Sequence, residues 1–326
     1  MRIADTVSRH LPLHISDHEI ELAMSTITET VWPDGFVELD EGRLKVHPDL
    51  VSHFRIRGWH TLDDVLRDSD VSVTEERDIR DNCTVELRNE ESTDPVRVYL
   101  KRHRDQGRPH EACAEADAVE RCRRAGVACM KIAAVGHRPV RHQTNVSDGD
   151  WHSFFMSVEV GDGKSAYDLA AEFCTLPADD RARELTALLS EVASVLVQLH
   201  RARLFHRDCY LQHFILESSD IANPSVRLID LQGTRQLSGS KAVYAQIKDL
   251  EHLAHSMRGL GLSNNEIQVW YRTYFGQLAG QESSATIGLL IKNAVMLRGL
   301  WRRQKNGISR FKRMCKGLLQ PASVAT

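Results

Sequence analysis

Residues 204–216 read LFHRDCYLQHFIL, and the rest of the chain is interpreted outward from them. They follow the longest clean helical stripe in the sequence, beginning at Arg181. In it Leu185, Leu188, Leu189, Val192, Val195, Leu196 and Leu199 recur at the intervals of one buried face. A turn just past such a helix can hold the Asp208 carboxylate at the mouth of a cleft. Five residues on stands His213, whose neutral imidazole can bind a metal or donate a hydrogen bond; the same pattern also fits a hydrogen-bonded core histidine. HFIL and VRLID then read as short strands flanking a loop at Asn223-Pro224. Asp230 ends the second strand. An ionised carboxylate there is costly unless a cation or donors satisfy it, so metal binding competes with a strand-end cap.

Upstream, CTVEL and VRVYLK alternate on either side of the turn-like ESTDP, which predicts a hairpin ending at Lys101. Pro109 can open a helix running through HEACAEADAVERCRRA to Gly126, with Ala112, Ala116, Val119 and Cys122 on one stripe. Glu115 shares that face with Val119 and Cys122 and can point inward. The stretches ACMKIAAVG and SFFMSVEV read as further strands, and GDGKS breaks the second. Each residue has an ordinary alternative. Lys101 beside Arg102 and Arg104 fits a solvated strand end, and Glu115 fits an exposed acid in a first helical turn. In chain order, however, Lys101, Glu115, Asp208 and Asp230 resemble the working parts of a protein kinase. A strand Lys neutralises nucleotide phosphates and a helix Glu holds it; one Asp orients the attacking hydroxyl and another binds the metal.

Two kinase features are missing. SVTEERDIRDNCTV, ahead of Lys101, contains no glycine, so a nucleotide lid there would work without glycine flexibility. LIDLQGTR stands where DFG would be, and APE is absent, which argues against a regulated protein kinase with a long activation segment.

At these residues the sequence resembles the lipopolysaccharide kinase family, kinase-like enzymes acting on heptose or Kdo of the inner core. YLKRHR, the Glu115 helix ending in RRAGV, LFHRDCYLQHFIL with His213 in place of Asn, LIDLQGTR and KDLEHLAHSM carry the likeness, from about Thr84 to Phe275. The resemblance implies an α+β, two-lobed protein-kinase-like fold, with a small β-rich N-lobe containing one main helix and a larger α-helical C-lobe. It implies ATP and Mg²⁺, with Mn²⁺ as an alternative. Lys101 and Glu115 would serve the nucleotide phosphates and Asp208 would be the catalytic base. Asp230, helped by His213, would hold the metal, and Asp249 would be a structural acid supporting the catalytic loop. The acceptor would be a lipopolysaccharide-type glycolipid. A protein or small-molecule kinase, or a pseudokinase-type binding module, are the alternative functions.

Composition sets outer bounds. The 326 residues carry 42 Lys+Arg against 45 Asp+Glu, which argues against a surface built throughout for nucleic acid, and no nucleic-acid partner is expected. The charge is unevenly placed. Residues 61–94 hold twelve acids and four bases, whereas residues 283–326 hold nine bases and no acid. The latter stretch, with Trp301 and Phe311 among its bases, can lie on an anionic membrane face or pack as a solvated helix. Seven cysteines without a CxxC pair suggest neither a disulfide framework nor a zinc ribbon, and point to a reducing cytosol. MRIADTVSRHLPLHIS lacks the apolar core of a secretory signal, and no stretch approaches a membrane span. The expected location is cytoplasmic, peripheral on the inner membrane. The expected division is an N-terminal extension over 1–72 packed on or near the N-lobe, an N-lobe over 73–164, and a C-lobe over 165–326 with a basic C-terminal helix.

Overall fold

The computed structural model describes residues 35–89, 94–104, 111–138, 151–218 and 223–279. Part of ESTDP, the helix opening at Pro109, most of HRPVRHQTN, the first part of the N-terminal segment and the whole basic stretch from residue 283 lie outside the described residues.

Strands β1 (Val37–Leu39), β2 (Leu44–Val46), β3 (Ser72–Arg77), β4 (Arg80–Leu87), β5 (Val96–His103), β6 (Ile132–His137) and β7 (Ser153–Val158) form one 7-stranded sheet, ordered β1-β2-β6-β7-β5-β4-β3. Neighbours are antiparallel throughout. Successive side chains on a strand point to opposite faces. Cys83, Val85, Leu87, Val98 and Leu100 therefore share one face, where they pack with Phe54 of helix α1 (Val51–Arg57) and with Leu62, Val65 and Leu66 of α2 (Leu62–Arg67). The other face receives α3 (Glu111–Arg124), whose Ala112, Ala116, Val119 and Cys122 pack in one cluster with Val135 and Phe155. Lys101, next along the strand from Leu100, is turned to α3.

The described part, residues 35–72, of the segment set apart in the sequence as an extension is thus woven into this lobe. Its strand β2 pairs with β6, Lys45 opposite Val135, and α1 and α2 pack on one face of the sheet. Arg102 ties the two together. Its Nε and Nη2 donate to the carboxylate of Asp81 at 2.6–3.1 Å, and Nη1 donates to the carbonyls of Leu66 and Asp68 at 3.1 Å. Both side chains are buried. Replacing Arg102 with Ala strands a buried carboxylate and the Leu66 carbonyl, and the expected loss is about 3–5 kcal/mol in urea unfolding. An Arg102→Met, Asp81→Leu double variant should recover most of it, because the uncompensated charge is then gone.

From β7 the chain enters the second lobe through GDGKS. Gly161 has φ +54°, and a Cβ there would lie 2.2 Å from the Leu216 carbonyl oxygen, so only glycine fits. Ser165 then opens α4 (Ala166–Phe173) with a reciprocal cap to Asp168, a device worth about 1 kcal/mol. Helix α5 (Ala178–Arg201) begins three residues before the stripe first read at Arg181, and the predicted stripe residues are all buried. After α5 come β8 (Leu204–Phe205), a 3₁₀ turn at Leu211–His213, β9 (Phe214–Leu216) and β10 (Val226–Leu228). A second 3₁₀ turn at Leu231–Gly233, β11 (Arg235–Gln236), α6 (Gly239–Gly259) and α7 (Asn264–Ala279) follow. Strand β9 pairs with β10, and β8 with β11. Trp270 of α7 donates from Nε1 to the Leu189 carbonyl of α5 at 2.9 Å.

The architecture is the expected α+β kinase-like one, a sheet-rich lobe followed by a mainly helical lobe. Strand β6 is shorter than ACMKIAAVG suggested, because the backbone at 128–130 pairs with β10 instead. Leu228 N donates to Ala128 O and Met130 N to Leu228 O, each at 3.0 Å, which joins the lobes behind the cleft. Among the described residues no helix is long and apolar enough to cross a membrane.

Candidate active site

The turn at 206–208 is built around one buried acid. Asp249, on α6, accepts from the backbone N–H of His206 at 2.9 Å and of Arg207 at 2.6 Å, and lies 3.2 Å from His200 Nε2. These bonds hold Arg207 at φ 69°, a conformation that non-glycine residues adopt only when their surroundings enforce it. Asp249 is therefore the structural acid expected beneath this loop.

His206 connects the turn to the next strand. Its Nδ1 accepts from Asp208 N at 3.3 Å, so Nε2 carries the proton and donates to the Ile229 carbonyl at 3.0 Å. Burial pulls this imidazole below its ordinary value and keeps it neutral, although the Asp249 charge acts the other way. Asp208 follows with its side chain 59% exposed to the cleft. His213 fixes its own tautomer similarly: Nδ1–H donates to the Asp208 carbonyl at 2.7 Å, leaving the Nε2 lone pair directed at Asp230, 3.7 Å from Oδ2.

Asp230 lies two residues beyond β10 in a left-handed conformation, φ 56° and ψ 55°. That conformation turns its carboxylate to the first lobe. Lys101 Nζ donates to Asp230 Oδ1 at 2.7 Å and to Glu115 Oε1 at 2.8 Å. Glu115 is completely buried, and Lys101 is the ion partner of its carboxylate. Burial alone would lower the Lys101 ammonium, but Glu115 and Asp230 outweigh it and hold the group above its ordinary value. Burial alone would likewise raise the Asp230 carboxyl, and the Lys101 ammonium holds it below the usual range.

One donor atom each from Asp208, His213 and Asp230 lie within 4.8 Å of one another, a spacing one cation can bridge. Two carboxylates and an imidazole nitrogen suit Mg²⁺ or Mn²⁺, the nitrogen favouring the latter. The five residues singled out from the sequence thus converge from β5, α3, the turn after β8 and the strand-end after β10. The glycine-free stretch ahead of Lys101 forms the β3–β4 hairpin. It is held by pairing, since Ile79 O accepts from Arg104 N at 2.8 Å and Arg80 Nη1 donates to Gln232 Oε1 at 2.9 Å across the lobes.

The sequence reading assigned no role to Tyr167, Tyr210 or the α6 histidines His252 and His255. His252 Nδ1 lies 3.9 Å from Asp208 Oδ1, and its ring stacks on Tyr210 at 4.5 Å and 7°. The available signal was helical spacing: Asp249, His252 and Ser256 fall at i, i+3 and i+7 on one buried face.

Comparison with known proteins agrees with this geometry. The lipopolysaccharide core heptose(I) kinase WaaP of Pseudomonas aeruginosa is 30% identical over 167 residues, and that of Escherichia coli 29% over 164. Each match takes in 49% of this chain and 58% of the relative, so the chain matches little more than half the length of these proteins. A solved structure of WaaP in complex with acyl carrier protein superposes with a TM-score of 0.54 at 23% identity, covering 87% of this chain and 99% of the other. The sequence profile of the lipopolysaccharide kinase (Kdo/WaaP) family matches residues 99–274, which contain all five converging residues. With more than half of its length inside that profile, the chain belongs to the lipopolysaccharide kinase (Kdo/WaaP) family.

Proposed function

We propose that this protein transfers the γ-phosphoryl group of ATP to a sugar hydroxyl, heptose or Kdo, of a lipopolysaccharide inner core or a related envelope glycolipid. The observation that carries the reading is the single cleft in which Lys101 bridges Glu115 and Asp230 while Asp208 and His213 face the same space. Lys101 would place its ammonium against the nucleotide phosphates, with Glu115 fixing the side chain from behind. Asp230 and His213 would hold a divalent cation, which when bound neutralises phosphate charge. Asp208 would orient the acceptor hydroxyl and take its proton as the new P–O bond forms and the bond to the ADP leaving oxygen breaks. Positioning and charge stabilisation then account for catalysis. Membrane contact through the basic stretch from residue 283, on the cytoplasmic face, belongs to the same proposal.

The test incubates purified protein with γ-labelled ATP, Mg²⁺ or Mn²⁺, and a phosphate-stripped envelope glycolipid in anionic vesicles. Label should enter the glycolipid fraction, at a rate that falls as salt rises. Label in protein or soluble sugar would replace the acceptor. No transfer to any fraction by folded protein would favour the pseudokinase reading.

A further inference from the structure

The β3–β4 hairpin closes on a two-residue turn, Asp78-Ile79, with Arg77 paired to Arg80 across it. In the register of β4 with β5, Asn82 stands opposite Lys101 and Arg80 opposite His103. Side chains two apart on a strand share a face, so Arg80 lies on the Lys101 side of the sheet. His103 shows the same facing, its Nδ1 being 3.3 Å from Glu111 Oε2 of α3, the helix that carries Glu115. Asp81, between Arg80 and Asn82, points the other way and is buried on Arg102. From the hairpin end, Arg80 Nη1 crosses to the second lobe and donates at 2.9 Å to Oε1 of Gln232, two residues past Asp230. Gln232 is steadied in turn, its carbonyl accepting from Arg235 Nη1 at 3.0 Å. One guanidinium is thus held where the hairpin end meets the turn that follows Asp230.

A hairpin over a nucleotide can hold phosphate in two ways. Backbone amides do so where right- and left-handed residues alternate and turn successive N–H groups toward one point. Residues 72–87 are all among the described ones, and none of them has a positive φ, so this hairpin offers no such nest. A guanidinium does so by charge and by a planar fork of donors that matches phosphate oxygens. The bond from Arg80 to Gln232 goes to a neutral amide, which fixes the side chain without neutralising it. Glu75, on the facing strand, is engaged by Arg77 at 2.6 Å and by Asn82 at 2.8 Å. We infer that Arg80 is the hairpin's contact to the β- and γ-phosphates of a nucleoside triphosphate, a side-chain clamp in the place of glycine amides. The inference rests on the proposed kinase activity and adds a residue to its nucleotide site. Lys101 meets the phosphate chain from the sheet and Arg80 from the hairpin end.

The experiment titrates the full chain with ATP and with AMP by calorimetry, and follows label transfer to the phosphate-stripped glycolipid in parallel. Arg80→Ala should weaken ATP about 10–100-fold, the range for hydrogen bonds to a charged group, and leave AMP unchanged. Unchanged AMP binding also shows that the variant's cleft is folded. Two further variants separate phosphate contact from a structural latch. Arg80→Gln can still bond Gln232 but carries no charge, and should lose ATP as Arg80→Ala does. Gln232→Ala removes the latch and keeps the charge, and should bind ATP as the wild type does. Undiminished ATP affinity in Arg80→Ala, with wild-type protein that transfers label, would overturn the inference and leave the kinase reading standing. Equal losses of ATP and AMP, or a loss reproduced by Gln232→Ala and absent from Arg80→Gln, would make Arg80 a structural clasp and also overturn it. Selective loss of ATP in Arg80→Ala and Arg80→Gln, from a wild type that transfers no label, would keep the phosphate contact and overturn the sugar-kinase reading. A wild type that binds neither nucleotide would overturn both.

Discussion

Substituting Asp208 with Asn is expected to lower phosphoryl transfer about 10²–10⁴-fold, the range that a positioned general base contributes. The substitution isolates the side chain. The backbone of residue 208 is fixed independently, its N–H by His206 Nδ1 and its carbonyl by His213 Nδ1. The carboxylate is mostly exposed, so stability should change little. Asn retains one oxygen beside the cation site but cannot accept the proton. Initial rates, nucleotide affinity and a thermal melt on the same preparation check this. Turnover within tenfold of the wild type, from folded protein, would remove Asp208 from the catalytic role.

Exchange of Lys101 for Met should fail in two separable ways. The fully buried Glu115 and the mostly buried Asp230 lose their shared cation, and the expected destabilisation is about 3–5 kcal/mol. Phosphate positioning is lost as well. A Lys101→Met, Glu115→Gln double variant removes one stranded charge and should regain stability in urea unfolding, yet remain inactive. Recovery of transfer by the double variant would show that Lys101 serves the fold alone. The pH dependence has a definite sign. Lys101 titrates higher in the folded state, so its contribution is complete below its ordinary value of 10.5 and is lost as pH rises through the folded value. Asp230 titrates lower when folded, so its contribution is complete above 3.8 and is lost as pH falls through its folded value. The stability gap between wild type and Lys101→Met should therefore be widest between those limits and narrow toward strong acid and strong base.

Much of this was visible in the linear chain because it rests on local periodicity. The α5 stripe from Leu185 to Leu199 and the alternation of β4 and β5 survive folding nearly unchanged, since one face of each element must be buried. Residues 37–67 were opaque for the converse reason. Strands of three residues, Val37–Leu39 and Leu44–Val46, are too short to display a period, and the partner of Lys45, Val135, lies ninety residues away. Arg102 illustrates the same limit. Beside Lys101 it read as another solvated base, yet it is buried on Asp81 while Lys101 faces the opposite side of the sheet.

The sequence by itself determined which chemical groups the site contains and in what order, because residue type and helical or strand period are local properties of the chain. The tertiary structure alone decided how they act together. The left-handed turn at Asp230 brings its carboxylate to Lys101, and the Asp208 carbonyl selects the His213 tautomer that presents Nε2 to the cation site. It also gathers Tyr167, Tyr210 and Gly259, residues of α4, the turn after β8 and α6 that share no sequence neighbourhood, around a cleft beside Asp208. The physical reason is that hydrogen-bond direction and distance between remote segments are fixed only when packing brings those segments together.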